Sequence, residues 1–120
     1  MTDDRRSNCP IACTLDLLGD RWTLLVVRDL LFGGKVRFDD FLASPEGIST
    51  NILTERLKRL EAAGLISKEL YSSHSGRNAY LLTDKGEGLR PVMKAFIAWG
   101  LANIPGTTTD LARVPLISKR

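Results

Sequence analysis

The sequence predicts a mostly helical chain with one small β-hairpin, an α+β fold. Apolar residues recur at three- and four-residue steps in several stretches, which is the period of an amphipathic α-helix. Later in the chain, "LISKELYS" and "NAYLLT" flank the polar stretch "SHSGR". The β-branched and aromatic residues of the two flanking stretches favour paired strands. A hairpin therefore interrupts an otherwise helical chain.

Length and composition predict one soluble globular domain. The chain has 120 residues, of which 43% are hydrophobic and 26% charged. No apolar run reaches the roughly 18 to 20 residues that cross a bilayer, and "MTDDRRSNCP" has acids where a signal peptide is basic and then apolar. We predict a cytoplasmic protein without a membrane partner, with a domain over residues 1–104 and a C-terminal tail over residues 105–120.

Three short helices are predicted before Pro45. Pro10 suits a first helical position because it lacks the amide that would be unpaired there, and Gly19 ends that helix. Asp20 can cap a second helix, which stops at the "GG" of residues 33 and 34. "VRF" is a candidate for a very short strand and "FDDFLAS" for a third helix. The predicted core residues of the second helix are Trp22, Leu25, Val26, Leu30 and Leu31.

The sequence predicts both ends and the buried side of a fourth helix. Ser49 is a good N-cap, and Ile48 and Leu53 have the spacing of a hydrophobic staple. Gly64 closes the helix. One buried stripe is predicted along it, formed by Leu53, Leu57, Leu60 and Ala63.

A last helix follows the hairpin and carries a wide apolar stripe. Thr83 can cap it, and Pro91 should bend or split it because the ring removes an amide and crowds the preceding turn. The apolar surface exceeds what so small a domain can cover, which favours burial against a second copy. The alternative is that these side chains fill the core of the monomer. The residues concerned are Leu89, Met93, Phe96, Ile97, Trp99, Gly100, Leu101 and Ile104.

This order of elements is that of a winged helix-turn-helix, whose fourth helix here would enter the DNA major groove. Steps of about 100° per residue from Leu53 give the outer face and its flanks. The alternative is a helix face that only meets water. The net charge of +3 and isoelectric point near 9.1 decide little between the two. The DNA-binding candidates on this helix are Ser49, Thr50, Asn51, Thr54, Glu55, Arg56, Lys58 and Arg59.

The outer residues differ in what they can bind. The hydroxyls of Ser49 and Thr50, with the free amides of the helix start, suit phosphate oxygens. Asn51 suits adenine and Lys58 suits guanine, while Glu55 can accept from cytosine or steer its neighbours.

Two further expectations concern Arg56 and the hairpin. Arg56 lies nearer the buried side, so its head should reach an acid such as Asp39 or Asp40, or a phosphate. Arg77 and Asn78, placed in the hairpin loop, should follow the DNA backbone or enter the minor groove.

The combined elements resemble the HxlR-type bacterial winged-helix transcription regulators. The resemblance rests on "CPIACTLDLLGDRWTLLVVRDLLFGGKVRF", "GISTNILTERLKRLEAAGLISKELY", "YLLTDKG" and "PVMKAFIAWG", which together cover roughly residues 9 to 100. It implies a homodimer that regulates transcription from pseudo-palindromic operators in double-stranded DNA. It also implies an oxidant or electrophile response through Cys9. Dimer contacts are implied in the first and last helices, at Ile11, Leu15, Met93, Phe96, Ile97, Trp99, Gly100 and Ile104.

The two cysteines differ in their sequence surroundings. Cys9 precedes a helix and is close in sequence to Arg5 and Arg6, which favours its thiolate, although an inert thiol is the alternative. Cys13 is expected to pack. Helical positions four apart hold Cβ atoms about 5 to 6 Å apart and a disulfide wants about 3.5 to 4.5 Å, so an intersubunit bridge or a small electrophile is the better expectation for Cys9.

No feature predicts an enzyme, a cofactor or a metal site. The chain has no phosphate loop, no nucleophile elbow and no zinc spacing, and its one histidine, His74, falls in the predicted wing tip. A thiol-based redox enzyme using Cys9 and Cys13 is disfavoured because there is no C-x-x-C pair. The alternative to a DNA-binding regulator is a winged-helix protein-interaction module, whose binding would lack the steep salt dependence of phosphate contacts.

Overall fold

The computed structural model describes residues 5–72 and 77–109, and it confirms a mostly helical fold with one hairpin. Most of the predicted tail lies outside the described residues. No helix in the described ranges is long and apolar enough to cross a membrane. The elements are α1 (Pro10–Leu18), α2 (Thr23–Leu31), α3 (Phe38–Leu42), α4 (Thr50–Ala62), β1 (Ile66–Ser72), β2 (Arg77–Leu82), α5 (Asp84–Glu87) and α6 (Arg90–Asn103).

The start of α2 is fixed by the carboxylate of Asp20. This carboxylate accepts hydrogen bonds from the amides of Trp22 and Thr23 at 3.0 and 3.2 Å, and also from the Thr23 hydroxyl. Asp20 therefore satisfies amides that the helix itself leaves without partners. The N-cap position itself is Trp22 and not the predicted Asp20, which supports the helix start from two residues earlier.

The core of α2 differs in part from the predicted stripe. Val26 and Leu31 are buried as predicted, and Thr23 and Val27, which the stripe omitted, are fully buried. The Thr23 side chain tolerates burial because its hydroxyl donates to Asp20. The other predicted core residues are only half-buried, namely Trp22, Leu25 and Leu30.

A buried polar cluster ties α2 to the turn before α4. The carboxylate of Asp29 accepts from the Ser44 hydroxyl and, at 3.0 Å, from Arg28 Nε. Arg28 also donates two hydrogen bonds to Glu46, at 2.7 and 2.9 Å, and Lys35 Nζ donates to Ser44 Oγ at 2.8 Å. Because each charge in the cluster is paired, burial of Asp29 is tolerated.

Helix α4 begins and ends as predicted. Ser49 Oγ accepts from the amide of Ile52 at 3.2 Å, and Ile48 and Leu53 are both buried, as a staple requires. Gly64 follows the helix with a φ of +78°, which favours glycine. Leu53, Leu57 and Leu60 are buried and Ala63 is half-buried.

The hairpin is antiparallel, with Ile66 opposite Leu82 and Glu69 opposite Ala79. The predicted short strand at "VRF" is reduced to a single bridge, between Arg37 and Ala79, because α3 already begins at the next residue.

The predicted last helix is two helices. Thr83 Oγ1 accepts from the amide of Gly86 at 3.1 Å and so caps the one-turn α5. Pro91 then lies in the first turn of α6, where its missing amide costs no hydrogen bond. The expected split is confirmed, and α6 packs on α2.

Candidate nucleic-acid interface

The outer face of α4 is exposed as the helical period predicts. Asn51, Glu55 and Lys58 are exposed on the side opposite Leu53. Ser49 and Thr50 are exposed at the helix start. Thr54, on the flank, is half-buried, and its hydroxyl donates to the Thr50 carbonyl at 2.8 Å. The Thr54 hydroxyl is therefore less available to a ligand than the side chains of its exposed neighbours.

Arg56 contacts other acids than those predicted. Its Nε donates to Asp20 Oδ2 at 2.7 Å, and it also pairs with Glu55. The expected contact with Asp39 or Asp40 is wrong, because Asp40 instead accepts from the Arg37 amide at 3.1 Å at the start of α3. The prediction that Arg56 lies towards the buried side is confirmed, since its side chain is 17% exposed.

Arg59 joins the same group of charges. Its Nη1 lies 3.4 Å from Asp20 Oδ1, and its Nη2 lies 3.4 Å from Glu55 Oε1. We call Asp20, Glu55, Arg56 and Arg59 the α4 charge cluster. The sequence indicated Asp20 only as a helix cap, and its contact with α4 is the feature of this surface that was not predicted.

Hydrogen bonds keep both acids of the α4 charge cluster ionised. Burial by itself would raise the pKa of Asp20, but hydrogen bonds from Thr23 and Arg56 outweigh it and hold that pKa well below its ordinary value. The hydrogen bond from Arg56, and the charges of both arginines, lower the pKa of Glu55. At neutral pH the cluster therefore holds two positive and two negative charges.

The hairpin residues lie in a strand and not in a loop. Asn78 is opposite Leu70, and the backbone of Arg77 is opposite Ser72, so both predicted DNA contacts belong to β2. The loop placement was wrong because pairing continues past an irregularity between Leu70 and Ser72. His74 lies outside the described residues.

Helices α1 and α6 both expose large apolar side chains. Ile11 is 71% exposed, Phe96 61% and Trp99 63%. Leu15 and Ile104 are also exposed, whereas Ile97 and Gly100 are half-buried. We call the apolar side chains of α1, of α6 and of its C-cap residue that are about half exposed or more the apolar face: Ile11, Leu15, Phe96, Trp99, Leu101 and Ile104.

Met93 is a correction to the predicted dimer residues. It is only 6% exposed and belongs to the core cluster, because α6 turns this side chain towards its own domain. It is therefore unavailable to a partner.

The thiols are free and differ in exposure. Cys9 is exposed and directly precedes α1, while Cys13 is half-buried and its Sγ donates to the Ser7 carbonyl at 3.3 Å. Arg5 Nη1 lies 4.0 Å from Cys13 Sγ, and Arg6 pairs with Asp16 at 2.7 Å. Among the described residues, no group of three side chains is arranged to hold a metal ion.

The fold and the exposed polar side of α4 define a winged helix-turn-helix protein. Residues 17–108 match the HxlR-like helix-turn-helix family, and the chain belongs to that family. This confirms the resemblance seen in the sequence.

Relatives of the chain are named as transcriptional regulators and not as enzymes. The uncharacterized HTH-type transcriptional regulator sll1512 of Synechocystis sp. is 40% identical over 87 residues, which is 72% of this chain and 64% of that protein. The uncharacterized HTH-type transcriptional regulator YybR of Bacillus subtilis is 32% identical over 98 residues, covering 82% of this chain and 78% of YybR. The chain thus spans less than two thirds of the Synechocystis relative.

One similar protein of known structure is named as a redox regulator. The redox regulator HypR in its oxidized form is 33% identical and matches with a TM-score of 0.72, over 79% of this chain and 97% of HypR.

Proposed function

We propose that this protein is a homodimeric transcription regulator that binds a pseudo-palindromic operator in double-stranded DNA through α4. One observation carries the proposal. Asn51, Glu55 and Lys58 are exposed on one side of α4, while Leu53 and Leu60, on the other, are fully buried. A helix that reads DNA must anchor one side in its own domain and present the other to the major groove.

The contacts of α4 suggest a role for each residue. Ser49 and Thr50 meet phosphates at the helix start, and Asn51 and Lys58 read bases in the groove. The carboxylate of Glu55 is already paired with two arginines, which favours steering over acceptance from cytosine. In β2, Arg77 and Asn78 follow the DNA backbone or the minor groove.

The apolar face supports the dimer. Side chains such as Phe96 and Trp99 remain more than half exposed in a single chain, and a two-fold partner would bury them. The same symmetry places two copies of α4 about one DNA turn apart, roughly 34 Å, on adjacent major grooves.

Asn51→Ala and Lys58→Ala are each expected to weaken operator binding by about 1 to 3 kcal/mol, because each removes a base contact. The free energy of unfolding of each variant should stay within about 0.5 kcal/mol of that of the parent protein, since both side chains are exposed. Footprinting against DNA that flanks the gene of this protein provides the operator, and titration by fluorescence anisotropy provides the affinity.

Lys94→Ala is the matched control, because it removes the same charge from an exposed position on α6. Unchanged operator affinity in both α4 variants would defeat the proposed reading role. Binding that does not weaken as salt rises would favour the protein-interaction module.

A second part of the proposal is an oxidant or electrophile response through Cys9. The thiol is exposed where α1 begins, and α1 carries Ile11 and Leu15 of the apolar face. Modification there would displace α1 and change the spacing of the two α4 helices, which shifts the population of DNA-competent dimers. The similarity to the redox regulator HypR supports this part.

Cys9→Ser is expected to abolish the change in DNA affinity that diamide causes in the parent protein. Diamide oxidises two thiols to a disulfide, so loss of the exposed Cys9 removes the intersubunit bridge. The readouts are anisotropy before and after treatment and a non-reducing gel. Cys13→Ser is the control and should respond as the parent does; a full response from Cys9→Ser would refute the assignment.

A further inference from the structure

Asp20 lies outside α4 and yet holds two of its arginines. Its Oδ2 accepts from Arg56 Nε at 2.7 Å, and its Oδ1 lies 3.4 Å from Arg59 Nη1. The carboxylate also accepts hydrogen bonds from the backbone amides of Trp22 and Thr23, which hold it in place. A carboxylate held by two backbone donors loses little freedom when it pairs, so it competes well for a guanidinium.

The α4 charge cluster leaves the helix with little uncommitted positive charge. Arg56 and Arg59 are each paired with both acids of the cluster. Lys58 makes no ion pair among the described residues, and it is the exposed cation on the outer face. The charges of both guanidinium groups are thus neutralised within the protein, that of Arg59 on the flank of the proposed DNA surface and that of Arg56 nearer the domain.

This neutralisation affects two kinds of binding differently. Affinity for DNA of any sequence grows with the number of phosphates that cations neutralise, whereas discrimination comes from base contacts. Restraining two guanidinium groups therefore lowers the phosphate share of affinity, which is essentially all of the affinity for arbitrary sequences, whereas binding to an operator also has the base contacts of Asn51 and Lys58.

We propose that Asp20 limits non-specific DNA binding by keeping Arg56 and Arg59 from the phosphates of arbitrary DNA. The proposal rests on the proposed function, since it assumes that α4 meets a duplex. Glu55 assists from the exposed side of the helix, where it contacts the same two arginines. Asp20 thereby acts on non-specific DNA binding through the two arginines that it holds.

The test measures binding of Asp20→Asn to a 24-base-pair duplex of arbitrary sequence at several salt concentrations. Asparagine keeps an acceptor for the start of α2, so the fold should persist. Each newly contacted phosphate steepens the slope of log affinity against log salt by about 0.9. Because Glu55 still contacts both arginines in this variant, release of one or both should steepen the slope by about one to two. In Asp20→Asn with Arg56→Gln and Arg59→Gln the added slope should disappear.

Glu61→Gln is the matched control, because Glu61 is an exposed acid of α4 without an ion pair among the described residues. Its slope should equal that of the parent protein. Glu55→Gln provides a second test that does not depend on the cap of α2, and its slope should steepen by about one. Slopes of Asp20→Asn and Glu55→Gln that match Glu61→Gln overturn the inference while the proposed function stands. A parent protein that binds no duplex at low salt overturns both.

Discussion

Replacing Gly86 by alanine should lower the free energy of unfolding by about 3 kcal/mol, a large effect for one methyl group. A Cβ at this position would lie 2.1 Å from the Leu65 carbonyl oxygen and 2.8 Å from Leu82 Cδ2. The leucine methyl can rotate away, but the carbonyl belongs to the backbone. The clash therefore requires α5 to move away from the start of the hairpin.

The Leu65 carbonyl is held in place by its neighbours. It accepts from the amide of Thr83 at 3.0 Å, and the Thr83 hydroxyl donates to the Gly64 carbonyl at 2.6 Å. Leu65 and Ile66 are both buried, so the chain cannot shift without disturbing the core. The usual gain from replacing glycine, about 0.4 to 1 kcal/mol through the unfolded state, is too small to offset this strain.

Urea unfolding of Gly86→Ala and the parent protein, at the same protein concentration, measures the difference in the free energy of unfolding. Gly88→Ala is the control, because a Cβ there meets its nearest atom, the Lys85 carbonyl oxygen, at 3.2 Å and the backbone is helical. Its stability should change by less than about 1 kcal/mol. Equal stability of Gly86→Ala and the parent protein would show that α5 can separate from the hairpin at little cost.

Local sequence signals predicted the part of the fold that positions α4. Ser49 caps the helix, Ile48 and Leu53 form the staple, and Gly64 ends it, all as expected. These features depend on residues within a few positions of one another, so their spacing carries the information. The exposed side of α4 follows directly from the buried one.

The partners of the buried side could not be predicted in the same way. The period of α4 indicated that Arg56 lies towards the domain, but Asp20 is 36 residues earlier in the chain. Only the packing of α2 against α4 brings the two together. Asp29 is a similar case, because its bond to Ser44 depends on how the turn before α4 folds back.

The wide stripe of α6 shows another limit of periodicity. The pattern grouped Met93 with Phe96, yet Met93 is buried and Phe96 is 61% exposed. An apolar stripe that wraps past one face contains both core residues and surface residues, and the spacing does not divide them. The division depends on which side of α6 rests on α2.

Replacing both Phe96 and Trp99, on the exposed part of that stripe, by alanine is expected to dissociate the dimer. Aromatic anchors at the centre of an interface contribute about 2 kcal/mol or more each, so the pair should weaken association by about a thousandfold. Sedimentation velocity across nanomolar to micromolar concentrations would follow the shift from dimer to monomer. Affinity for the operator should fall with it, because a monomer presents one α4 and not two.

The matched control is Leu70→Ala, because Leu70 is 59% exposed and lies on β1, which contributes no residue to the apolar face. Loss of apolar surface by itself should leave the dimer intact in this variant. Because Phe96 and Trp99 are mostly exposed, replacing both should hardly change the core of a single chain. Circular dichroism of the double variant should therefore still report a folded protein. A double variant that sediments as the parent dimer would remove the apolar face from the dimer contact. A parent protein that is monomeric at micromolar concentration would remove the dimer itself, and with it the spacing by which α4 selects a two-fold operator.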